Sequence, residues 1–80
     1  MDIIKVEPRD GFFLLLKFEN GESRVFDMKP YLEKPPFIRL KDARQFCRAR
    51  ISNGTVSWPG DKDSDMDLAA ETLYDHSVPA

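Results

Sequence analysis

The sequence predicts a small α+β domain: a small antiparallel sheet of two hairpin units, in the order β-β-β-short turn-α-β-β-α, with one or two short helices packed on it. Three observations predict it. Asn20-Gly21 and Asn53-Gly54 each stand between apolar-rich runs, and Asn-Gly supplies the two positive φ angles of a two-residue hairpin turn at least steric cost. Asp42 and Asp67 each precede a stretch with helical apolar spacing, where an Asp side chain can cap the first turn. A chain of 80 residues, 41% hydrophobic and 32% charged, is ordinary globular material and is read as one domain over 1–80. At that size about 60 to 65% of the unfolded surface can be buried, so the core is modest.

The elements follow in order. Ile3 to Glu7 reads as a strand, joined through Pro8-Arg9-Asp10-Gly11 to a second that begins at Phe12. Around Asn20-Gly21 a two-residue turn pairs Phe18 with Ser23, Lys17 with Arg24, Leu16 with Val25 and Leu15 with Phe26. This register sends Phe12, Leu14, Leu16, Phe18 and Val25 to one face, and Phe13, Leu15 and Phe26 to the other. Both faces are then apolar at one end, so the second patch needs a cover: the chain's own ends or another subunit.

Asp27 caps a short turn through Leu32, with Met28, Tyr31 and Leu32 inward, until Pro35-Pro36 forces extended chain. Asp42 opens a helix from Ala43 to about Arg48, with Ala43, Phe46 and Cys47 on its apolar stripe and Arg44 and Arg48 on the wet side. The Asn53-Gly54 hairpin pairs Ser52 with Thr55, Ile51 with Val56 and Ala49 with Trp58. A last helix is expected from Leu68 to His76, capped by Asp67, and the tail from Val78 to Ala80 is expected to fray.

Net charge is −2, unevenly distributed: residues 1–60 carry 11 Lys/Arg against 8 Asp/Glu, while 61–80 carry 1 against 6. The acidic end is expected to lie over the basic middle. Cys47 is the only cysteine, which excludes an intrachain disulfide framework and fits a reducing cytoplasm, the expected location. No apolar run approaches a membrane span or follows a signal-peptide plan, so no membrane association is expected.

Chemistry-bearing motifs are sparse. Asp61, Asp63 and Asp65 occupy the first ligand positions of a calcium loop, but Met66 stands where that loop needs Gly and Thr72 where it needs a bidentate Glu. They read as solvated acids beside a helix start, and remain the one weak metal candidate. Cys47 beside Phe46 reads as an inert core thiol, and His76 as a helix-terminal residue. No phosphate loop, paired-His zinc motif or Ser-His-Asp arrangement is present, so neither catalytic residue nor cofactor is expected. Arg39, Lys41, Arg44, Arg48 and Arg50 form a basic cluster, yet the net acidic charge and the lack of a companion helix argue against direct nucleic-acid binding.

The run "LLLKFENGESRVFDMKPYLEKPPFIRLKDARQF", followed by "GTVSWPG" and "DLAAETLY", resembles the small bacterial family named domain of unknown function 2442. The matching positions are Phe18, Gly21, Glu22, Phe26, Asp27, Pro30, Phe37, Leu40, Phe46, Gly54, Thr55, Val56, Trp58, Glu71, Thr72, Leu73 and Tyr74. Ala70 stands where the family usually opens its helix with Pro, and the acidic loop is longer than is typical. The resemblance implies a compact α+β domain without established enzyme activity. It also implies frequent encoding beside a small protein of toxin-antitoxin character, or fusion to a helix-turn-helix domain.

The resulting expectation is a non-enzymatic protein-interaction module, antitoxin-like, with a protein partner or self-association. Its partner-contact candidates are Phe13, Leu15, Phe26, Arg44, Arg48 and Trp58. The alternative is a regulatory module acting at nucleic acid, through the Arg44 and Arg48 helix face or through a partner helix-turn-helix protein.

Overall fold

The computed structural model describes residues 1–35, 37–59 and 66–80. Among these, the strands are β1 (Ile3–Arg9), β2 (Phe13–Phe18), β3 (Ser23–Asp27), β4 (Arg50–Ser52), β5 (Thr55–Trp58), β6 (Met66–Leu68) and β7 (Val78–Pro79). The α-helices are α1 (Ala43–Phe46) and α2 (Ala70–Asp75), and single 3-10 turns cover Lys29–Tyr31 and Phe37–Lys41. The α+β class is as expected, but the strands divide into two antiparallel sheets, β1-β2-β3-β7 and β4-β5-β6.

The second hairpin has the expected register. Asn53 and Gly54 take φ of 53° and 77°, so the two-residue turn forms and sets Ser52 opposite Thr55 and Ile51 opposite Val56. The first hairpin does not. Only Gly21 has positive φ, 92°, and the loop takes three residues, closed by Phe18 N donating to Glu22 O at 2.9 Å and Gly21 N to Phe18 O at 2.9 Å. Leu14 therefore pairs with Phe26, Leu15 with Val25 and Leu16 with Arg24, one residue from the predicted register. Because side chains alternate, that single step exchanges the two faces of β3. Phe26 enters the core and Val25 takes its place on the outside.

Further departures have local causes. Phe12, expected on the buried strand face, lies in the β1-β2 turn with φ 65° and packs its ring edge-on to Phe46, 5.3 Å between centroids. Met66-Asp67-Leu68 alternates buried, exposed, buried, and so forms β6 against β5. Asp67 thus faces Ser57 and does not cap the helix, whose cap position is Ala69 with no side-chain bond. Ala70 is the first helical residue, the position at which Pro is tolerated, which accounts for the exchange of the two there. The tail does not fray: β7 pairs Val78 with Val25 and Pro79 with Arg24, and Ala80 N donates to Ser23 O at 3.0 Å.

The core lies between the sheets and the helical segments. Ile3, Leu14, Leu16, Phe18 and Phe26 from the first sheet meet Val56, Trp58, Met66 and Leu68 from the second, with Met28, Leu32, Leu40, Phe46 and Leu73 closing the ends. Each large side chain so buried contributes about 1.5 to 3 kcal/mol. A bulge between Ile3 and Lys5 lets Ile3 point inward while Lys5 lies outside, and Ile3 N donates to Gly54 O at 2.9 Å, tying one sheet to the other hairpin. The Asp42 cap forms as expected, accepting from Arg44 N at 3.0 Å. Asp27 stands one residue before the cap position of its turn, which is Met28, though its carboxylate accepts from Lys29 N at 2.9 Å. No helix among the described residues is long and apolar enough to cross a membrane.

Candidate functional site

The first sheet has one face in the core and one outside. The pairing places the outside residues in three rows across the strands: Lys5, Lys17 and Ser23; Glu7, Leu15, Val25 and Val78; Arg9, Phe13 and Asp27. Phe13, Leu15 and Val25 are half-buried, Val78 is 60% exposed, and all four lie outside the core cluster. The chain's C-terminal strand extends this apolar row sideways and does not cover it. The Lys29 ammonium sits 3.9 Å from the Phe13 ring centroid and pairs with Asp27 at 3.1 Å. This face therefore has an apolar centre and a charged rim.

A second cluster joins the sheet to the C-terminus. Arg24 donates from Nε to Ser77 Oγ at 2.7 Å, from Nη2 to Ser77 O at 2.9 Å and from Nη1 to Glu22 Oε1 at 3.1 Å. Its guanidinium carbon stands 4.4 Å from the Tyr74 ring centroid. The Tyr74 hydroxyl donates to Glu22 Oε2 at 2.6 Å, the Asn20 amide donates to the same oxygen at 2.6 Å, and Tyr74 packs edge-on to Phe18 at 5.2 Å. Hydrogen bonds from Tyr74 and Asn20, with Arg24 nearby, hold the Glu22 carboxyl below the ordinary range. The Glu22 bond in turn pushes the Tyr74 phenol up. A phenol held neutral and a guanidinium bonded to Ser77 and Glu22 form a clasp with its donors committed, not a poised nucleophile or base.

The predicted contact residues divide accordingly. Phe13 and Leu15 lie on the open face, whereas Phe26 is fully buried by the shifted register. Trp58 also has no exposed surface: its indole donates to Phe46 O at 2.9 Å and its ring stacks on Phe46 at 6.2 Å. Neither can be an outward contact. Arg44 and Arg48 are exposed, but α1 is a single turn of 4 residues, too short to fill a DNA groove as a recognition helix. Cys47, expected in the core, is exposed at the end of α1, and Ala43 is exposed too, because only Phe46 of that turn reaches the core.

Asp61, Asp63 and Asp65 lie outside the described residues. Among the described residues no group of three or more His, Cys, Asp or Glu side chains is placed to hold a metal ion. Val25, Val78 and the Arg24 clasp escaped sequence reasoning. The alternation of Arg24 and Phe26 against Val25 was the available signal for Val25, but it needed the correct register to be used.

The model of one protein family, described as "Protein of unknown function (DUF2442)", matches residues 3–79. No curated protein and no solved structure matches the chain.

Proposed function

Since the chain belongs to the DUF2442 family, whose description names no activity, we propose from its surface that it is a non-enzymatic protein-interaction module, the antitoxin-like member of a two-protein system. The observation that carries this reading is the outward face of β1-β2-β3-β7, where Leu15 and Val25 stand at the centre of a half-open apolar row. Supporting it is the gene neighbourhood that the family resemblance implies.

Co-expression with the product of the adjacent gene, followed by size-exclusion chromatography, tests it. The expected result is one co-eluting complex that Leu15→Asp dissociates while circular dichroism shows the variant folded. Two well-folded proteins eluting separately would sink the proposal.

A second reading, action at nucleic acid, has the exposure of Arg44 and Arg48 in its favour. A gel shift at low salt decides it, since phosphate contacts weaken steeply with salt. Binding that survives Arg44→Ala with Arg48→Ala would remove this face from consideration.

A further inference from the structure

The proposed interaction face has a charge pattern that the fold itself does not need. Its rim holds four cations, Lys5, Arg9, Lys17 and Lys29, against two carboxylates, Glu7 and Asp27. Both carboxylates are engaged within the chain: Glu7 by Lys5 at 3.7 Å and by Arg9, Asp27 by Lys29 at 3.1 Å. Lys17 stands directly opposite Lys5 on one side and Ser23 on the other. Like charges facing each other across a strand pair are destabilising. This pair borders the apolar centre on a protein whose net charge is −2.

Size restricts the occupant. With strands about 4.8 Å apart and rows about 6.8 Å apart, the patch runs roughly 14 Å along the strands and about 10 Å across them, widened to about 14 Å only in the central row by Val78, or about 150 Å² in all. A standard interface needs about 800 Å² per partner, so a second copy stacked on this patch alone falls well short. Such stacking would also bring two net cationic rims together. An α-helix, about 10 to 12 Å across with its side chains, matches the three-strand width of the patch.

We infer that the face receives an amphipathic helix of a partner protein, its apolar stripe on Phe13, Leu15, Val25 and Val78 and its carboxylates over Lys5 and Lys17. This rests on the interaction-module reading and specifies the partner's chemistry. The contact is small, so the helix alone binds weakly, with Kd in the micromolar range or above. Tighter association requires the rest of the partner.

The full chain, labelled with nitrogen-15, is titrated at low salt with two synthetic helical peptides that share a leucine stripe, one flanked by Glu and the other by Lys. The expected result is that the Glu-flanked peptide moves the amide signals of Lys5, Leu15, Lys17 and Val25 and binds about tenfold more tightly than its counterpart. Lys5→Glu with Lys17→Glu, two exposed changes, should reverse that preference. Equal binding of both peptides overturns the acidic partner while leaving an interaction face in place. Indifference of the face to both peptides overturns the inference, and the parent reading is then decided separately by co-expression. Concentration-dependent shifts on this face without peptide would assign it to a second copy and overturn the inference as well.

Discussion

The Tyr74 hydroxyl donates to the Glu22 carboxylate across 2.6 Å, joining residues 52 positions apart in the chain. With Arg24 stacked on the same ring and bonded to Ser77, it fixes α2 and β7 against the first hairpin. Tyr74→Phe should therefore speed hydrogen exchange at Val78 and Ala80 more than in β2. Arg24→Lys should cost about 1 to 2 kcal/mol in urea unfolding, because an ammonium cannot reproduce the fork to Ser77 or the stacking. Unchanged exchange in both variants would show that the tail is held by its strand pairing alone.

Stability should depend on pH through the same pair. Glu22 is depressed in the fold, so its contribution is complete above the ordinary glutamate range and is lost as pH falls through the depressed value. Tyr74 is raised, so its contribution is complete below the ordinary phenol range and is lost as pH climbs through the raised value. Melting wild type and Glu22→Gln across pH should give the largest difference between about pH 5 and pH 9, narrowing at both ends. A gap independent of pH would contradict the assignment.

Trp58→Phe should cost about 2 to 3 kcal/mol. It removes the indole bond to Phe46 O, whose other protein donor is Ala49 N at a long 3.3 Å, and it leaves part of the indole volume empty. That is a large share of the roughly 4 to 12 kcal/mol typical of a domain this size. Chemical denaturation with an unchanged slope measures it, and a loss below about 0.5 kcal/mol would show that the site repacks.

Cys47 should react in the native state. Because it is exposed, Ellman's reagent should titrate one thiol without denaturant, and Cys47→Ser should leave stability within about 0.5 kcal/mol. Reaction only after unfolding would mean that the thiol is covered in solution.

What the sequence made legible, and what it did not, turns on one dipeptide used twice. At Asn53-Gly54 both residues take positive φ, and the hairpin follows the simplest reading of the motif. At Asn20-Gly21 the Asn side chain instead accepts from Glu22 N at 3.0 Å and donates to the Glu22 carboxylate, which favours a three-residue loop with Gly21 alone in the left-handed region. Nothing in the dipeptide distinguishes the two outcomes; the clasp at Glu22, assembled from residues far down the chain, does.

The candidate face inherited that ambiguity. Phe13 and Leu15 share a face in sequence and structure alike because β2 alternates whatever its partner does, while Phe26 and Val25 change places with the register. The short β6 was hidden because Leu68 suits either a first helical turn or a strand end, and only its partner Val56 settles the matter. Cys47 lies outside the core, against the expectation from its spacing, because a single helical turn is too brief to carry a full apolar stripe.

β7 has a consequence for biosynthesis. Arg24 and Ser77 are 53 residues apart, so a ribosome adding 5 to 20 residues per second makes the second about 3 to 10 s after the first. Throughout that interval the nascent hairpin has a bare backbone rim along β3, next to freshly made Leu15 and Val25, and can pair with any neighbouring chain. Production of this protein should therefore be sensitive to crowding on the message and to holdase chaperones, and trimming the final strand should turn a transient hazard into a permanent one.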